Sequence, residues 1–388
     1  MLRLLAAGLG LIVFASLSVA RSADTWTPND LSILLPLPQD VGPDPMLRAG
    51  TQGVHGVLVP WAAYQSVPTL DMVFRKKEDE YASLRVVAIR IDPCFPAQHG
   101  GCRRQIRLVW QPLVSGRAEK PVITIDAGVH TFYELTELEF DRLLKDLSKL
   151  KKETGIATEG PLWIHPALVK QGLQGPFLRS LHQIILNYVG EARMSRLTFM
   201  LVRGASILWS FGGFDFAQDS VSPIAIPRLE LPVFSTQQSF FNSSFSSDDF
   251  QRSGLSPAPL GADTYNLLMR DSARIRPKED QAEIIESLAA IYRIENPDFH
   301  SPETMDCVSC HVAQAARGFA LNRFGQLAFP ESVHALAYKS NFDLTNVSPS
   351  AWFTTNLHAF SYFQEEPSIS QRVINEAAAV AASLNSRR

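Results

Sequence analysis

Residues 307–311 read Cys307-Val308-Ser309-Cys310-His311, and the chemistry of the chain is read outward from them. Two cysteines separated by two residues and followed at once by histidine have the spacing at which both thiols form thioethers with the vinyl groups of a haem while the imidazole reaches its iron. The chain has four cysteines and nine histidines in 388 residues, so the grouping is not a by-product of composition. Two other chemistries fit the same letters. Cys307 and Cys310 can close a short disulfide, or with His311 supply part of a structural zinc site. Zinc takes four ligands, and no second C-x-x-C or H-x-H pair occurs between residues 300 and 388. The expectation is one covalently attached haem c, held by Cys307 and Cys310, with His311 as proximal iron ligand.

The other end of the chain agrees with that chemistry. Residues 1–20 combine Arg3, an apolar run from Leu4 to Ala15, and the small residues Ser18 and Ala20 where a signal peptidase reads. This is the pattern of an export signal, and it implies a periplasmic or secreted bacterial protein. No later segment is as long and apolar as a membrane span, so no integral membrane segment is expected after cleavage. In an oxidising compartment Cys94 and Cys102 are expected to pair. They flank a turn-rich segment ending in Gly100-Gly101, and closing so short a loop stabilises by about 2.5 kcal/mol in the chain-entropy account. Metal capture by Cys94, His99 and Cys102, or a redox-active pair, is the alternative.

A formal net charge of −3 calls for no nucleic acid or anionic membrane. The length suggests two globular domains. The texture changes after Ser235, where a Ser- and Phe-rich stretch lacks any sustained period; residues 236–278 read as a linker or long loop. Before it, Leu84 to Ile91, Gln105 to Trp110, Val122 to Asp126, Arg196 to Val202 and Ile207 to Phe214 have strand character. Glu137 to Lys152 and Pro176 to Val189 place apolar residues at helical spacing, and the first of these ends at Gly155. Residues 24–235 are therefore expected to form a mixed α+β domain. No Walker loop, dinucleotide fingerprint or H-E-x-x-H occurs there, and the segment from Gly204 lacks the second glycine of a nucleophile elbow. Asp126 and His130, at an expected strand exit, form a candidate acid/base pair. His182 falls on an apolar helix stripe and reads as a core or boundary residue.

After residue 279 the pattern is helical. Glu279 to Ile294 forms an acid-started helix, and a last helix repeats Ile369, Val373, Ala377, Val380, Ala381 and Leu384 behind a capping box at Ser368 and Gln371. Its alanines suit a close crossing with the 279–294 helix. A helix, then Cys-x-x-Cys-His, then an aromatic stretch, then an alanine-rich terminal helix: residues 279–388 resemble the small monohaem c-type cytochromes (class I-like). The resemblance implies a small all-α haem domain behind the α+β domain, with Cys307 and Cys310 carrying the haem and His311 as proximal ligand. It also implies an apolar lining from aromatics such as Phe319, Trp352, Phe360 and Tyr362. Members of that family usually place a distal methionine well downstream of the motif, but no methionine follows Met305. His358 and then His334 are the candidates for the sixth position. Two imidazoles would favour ferric iron and a low potential, whereas an open position would bind a small ligand. The expected function is single-electron transfer to a redox partner protein, more an electron carrier than an enzyme. The alternatives are a haem enzyme or ligand sensor with an open sixth position, and a haem-free disulfide-stabilised secreted binding protein.

Overall fold

Strands rich in β-branched and aromatic residues form the centre of the molecule, which is a mixed α+β structure. The computed structural model describes residues 25–38, 45–70, 73–96, 101–117, 120–203, 208–217, 220–224, 238–241, 263–270, 275–353 and 356–387. The candidate export signal, His99 and most of the Ser- and Phe-rich stretch lie outside the described residues. In chain order the first part comprises α1 (Pro28–Leu31), β1 (Ser32–Leu34), β2 (Gln52–Gly53), β3 (Gly56–Val57), α2 (Trp61–Gln65), α3 (Lys77–Ser83), β4 (Leu84–Pro96), β5 (Cys102–Arg117), β6 (Lys120–Thr124) and β7 (Ala127–Leu135). Then follow α4 (Glu137–Thr154), α5 (Pro166–Gln171), α6 (Pro176–Leu186), β8 (Met194–Arg203), β9 (Leu208–Ala217), β10 (Ser220–Pro223) and β11 (Gln238–Phe241).

Nine strands make one sheet in the order β1-β4-β5-β7-β8-β9-β10, with β6 beside β5 and β11 beside β9. All its pairings are antiparallel. The Cys94–Cys102 disulfide joins the ends of β4 and β5. β7 does not alternate in hydrophobicity, because both of its faces are covered and Gly128 interrupts it; sequence periodicity therefore passes over it, although it is a central strand. On one face Val129 and Tyr133 enter the larger core with Phe140 and Leu143 of α4 and Leu181 and Ile185 of α6. α4 is bounded as its sequence indicates: Thr136 accepts from the Glu139 amide, and Gly155 closes the helix at φ 60°. His182 is buried on α6, and burial lowers its pKa to about 4.

The C-terminal part comprises α7 (Asn266–Arg270), α8 (Gln281–Glu295), α9 (Cys307–Phe324), α10 (Glu331–His334), β12 (Phe360–Phe363), β13 (Glu366–Ile369) and α11 (Gln371–Ser386). It is not purely helical, since β12 and β13 pair as a hairpin around a turn where Gln364 adopts φ 54°. Ser370, rather than Ser368, caps α11 by accepting from the Val373 amide. Ser368 lies in β13, where its hydroxyl donates to the His358 carbonyl at 2.9 Å.

The two parts share cores. Phe360, Tyr362, Ile369, Val373, Ala377 and Leu384 are buried with the sheet and α4, in the larger core. Conversely Met200, Trp209 and Phe211 of β8 and β9 are buried with α7, α8 and α9, in a second core. α11 meets α8 where Arg372 and Asn375 donate to the carbonyls of Ile294 and Glu295 at 2.8 and 2.9 Å. Its far end exchanges two hydrogen bonds with Trp26 through Asn385.

Candidate functional site

The motif opens a helix. Asp306 is the N-cap of α9, its carboxylate accepting from the Ser309 amide, so Cys307, Cys310 and His311 occupy the first turn and a half. Positions three and four apart share a helical face. All three residues line one cavity between this turn and the open face of the sheet, a void of about 1240 Å³ counting its mouth. By the measure comparable with the roughly 300–1,000 Å³ of organic-ligand sites its volume is about 170 Å³, so a large planar group enters only where the walls move apart.

His311 is oriented from behind. Its Nδ1 lies 2.6 Å from the Leu357 carbonyl oxygen. A carbonyl only accepts, so Nδ1 carries the proton and Nε2 presents its lone pair, the tautomer that ligates a metal. Burial outweighs this hydrogen bond and lowers the imidazole pKa to about 4, so the ring is neutral. Cys307 and Cys310 are free thiols, both pushed up to about 12, chiefly by burial. Among the described residues no group of three or more His, Cys, Asp or Glu side chains is placed to hold a bare metal ion. A porphyrin brings four nitrogens of its own and asks the protein only for axial ligands.

The opposite wall comes from the sheet. Register pairing sets Arg90, Arg107, Phe132 and Arg196 side by side across β4, β5, β7 and β8. Arg196 is held by Asp215, with Nε 2.6 Å from Oδ1, and also by Glu303. Arg90 and Arg372 both bind Glu376, at 3.1 and 2.7 Å. Burial alone would raise the Glu376 carboxyl, but Arg372, Arg90 and Arg107 outweigh it and hold the group at about 2. Arg107 differs from its neighbours. It is buried, stands over the rings of Phe132 and Phe95 at 4.7 and 5.6 Å, and has an Nε without a hydrogen-bond partner. Burial and then Arg90 lower its pKa to about 10, which leaves it a cation at neutral pH. A buried cation without a carboxylate partner suits an anionic substituent on a ligand. Haem has two such carboxylates beside an apolar macrocycle. The apolar part is matched by Phe132, Phe211, Phe360, Met200 and Met305 in the cavity wall. The residues present therefore fit the group.

The structure brings together Cys307, Cys310 and His311, and sets the two distal candidates elsewhere. His334 lies on α10 with Nδ1 3.2 Å from the Tyr292 hydroxyl, outside the cavity lining. His358 is buried beside Trp209, its Nδ1 2.8 Å from Ser361 Oγ and its Nε2 3.4 Å from Asp126 Oδ1; it too is outside the lining. Asp126 thus faces His358, not His130, and His130 is mid-strand in β7, where it lines the cavity. Of the expected aromatic lining only Phe360 takes part, because the sheet supplies the rest; Phe319 and Phe324 pack on each other at 5.9 Å in the second core. Arg107 and His130 escape a reading by motif, since the face each takes is set by strand register in the sheet and not by a local pattern. No family model, curated protein or solved structure matches the chain.

Proposed function

We propose that the chain is an exported, monohaem c-type cytochrome of the periplasm that passes single electrons to a redox partner protein. Residues 279–388 act as the haem-carrying unit in the manner of class I-like cytochromes, and the α+β part closes the cavity over them. The observation that carries this reading is the first turn of α9: both motif thiols and a tautomerically fixed imidazole face one cavity whose other wall holds an unpaired arginine. Haem c supplies reversible one-electron chemistry when bound. Cys307 and Cys310 tether it, His311 orients an axial nitrogen through the Leu357 carbonyl, Arg107 meets carboxylate charge, and the phenylalanines exclude water. No described helix is long and apolar enough to cross a membrane.

The test is a pyridine haemochrome spectrum on the chain expressed in a periplasm with haem-maturation machinery, after acid-acetone extraction. A c-type spectrum that survives extraction, at one haem per chain, and disappears in Cys307→Ser/Cys310→Ser, is the expected outcome. A wild-type chain that retains no haem despite competent maturation overturns the reading.

A further inference from the structure

Three features single out His130. First, alternation along β7 sends Gly128, His130 and Phe132 to the cavity face, while Val129, Thr131 and Tyr133 turn into the core. Second, its register neighbours are short: Val109 on β5 and Thr198 on β8, with Gly213 beyond on β9. A Cβ on Gly213 would fall 2.6 Å from both the Ile224 side chain and the Leu197 carbonyl, so Ile224 already covers the wall there and only glycine fits beneath it. The imidazole is thus the one metal-ligating nitrogen group that the sheet offers to the cavity. Third, neither ring nitrogen has a hydrogen bond or ion pair among the described residues, whereas His165, His300, His311, His334 and His358 each have one; His182 also leaves its Nε2 unpartnered, but it lies on α6 away from the cavity. The half-buried ring thus turns unpartnered nitrogens toward the cavity, where a ligand can take them up.

We propose that His130 is the second axial ligand of the iron, so that the haem tethered by α9 is clamped between His311 and the central strand of the sheet. This rests on the haem reading above. It accounts for the missing downstream methionine, because the sixth ligand comes from the preceding part of the chain. The arrangement leaves no open position for small ligands, and two imidazoles keep the potential below that of a Met/His pair. Methionine is the rival donor. Met305 precedes Cys307 by two residues and shares its wall, whereas Met200 of β8 lies across the cavity beside Gly128.

The experiment uses the full chain with its haem loaded, wild type against His130→Ala, His130→Met and Met200→Leu, with the haemochrome spectrum as the count of covalent haem in each. The wild type is expected to be low-spin in electron paramagnetic resonance, to show no sulfur-to-iron charge-transfer band, and to remain inert to carbon monoxide when reduced. His130→Ala keeps its covalent haem, turns high-spin, binds carbon monoxide stoichiometrically and returns to low spin with added imidazole. His130→Met gains the sulfur-to-iron band and a higher potential, which a purely structural role for His130 would not produce. Two results overturn the proposal with the haem reading intact: haem-loaded His130→Ala that stays low-spin and inert, or a sulfur-to-iron band in the wild type that Met200→Leu removes. A wild-type chain without covalent haem overturns both.

Discussion

Arg107 carries its charge into a wall where it stands over two phenylalanine rings and, among the described residues, makes no ion pair of its own, feeling Glu376 and Asp92 only at longer range. Its neighbours Arg90 and Arg372 share Glu376, so the local arginines are not equivalent: two are satisfied within the protein and Arg107 awaits a counter-charge. Leaving a buried polar group unsatisfied costs about 1–3 kcal/mol. Arg107→Met should therefore stabilise the haem-free chain by about 1–3 kcal/mol and destabilise the haem-loaded chain by a similar amount, read from urea midpoints of the two forms. Equal shifts in both forms would mean that Arg107 does not meet an anion on the ligand. Nothing in the sequence marks Arg107 among its 36 lysines and arginines, because a surface arginine and an unpaired buried one are spelled alike.

At the scale of elements the motif depends on its cap. Asp306 gives α9 a defined first turn, and the helical spacing of Cys307, Cys310 and His311 then follows from backbone geometry. Asp306→Ala should cost about 1 kcal/mol in chemical denaturation and lower the fraction of chains that retain haem, whereas Asp306→Asn, which also caps, should keep both near wild type. Unchanged haem loading in Asp306→Ala would show that the turn is fixed by other contacts. α4 was legible because its apolar stripe and terminal Gly155 agree; the structure adds the capping box of Thr136 and Glu139. β7 was not, because a strand covered on both faces loses the alternation that identifies strands, and this is the strand that carries His130. The cap of α11 moved from Ser368 to Ser370 because residues 366–369 are held as a strand against β12, an interaction between segments that helical periodicity does not register.

At the scale of the molecule the change in texture after Ser235 does not divide two independent cores. Hairpin β12–β13 and α11 bury Phe360, Tyr362, Val373 and Ala377 with the sheet, and β8 and β9 bury Met200 and Trp209 with the helices. Gln111 and Tyr362 exchange hydrogen bonds between side chain and main chain across the join, at 2.7 and 3.1 Å. A fragment of residues 279–388 loses the sheet that covers Phe360, Tyr362, Ile369, Val373 and Leu384, at roughly 1.5–3 kcal/mol for each large side chain left exposed. It should fail to give a cooperative thermal transition by circular dichroism, whereas the full chain unfolds in one; a cooperatively folding fragment would contradict the shared cores. The sequence by itself determined the spacing of the motif residues, the mixed α+β class, the Cys94–Cys102 pairing and the main helices, because each rests on patterns among residues close along the chain. Tertiary structure alone decided what faces the motif: His130 and Arg107 instead of His358 and His334. The wall of a cavity is assembled by strand register and by packing between segments more than a hundred residues apart, and no local pattern encodes either.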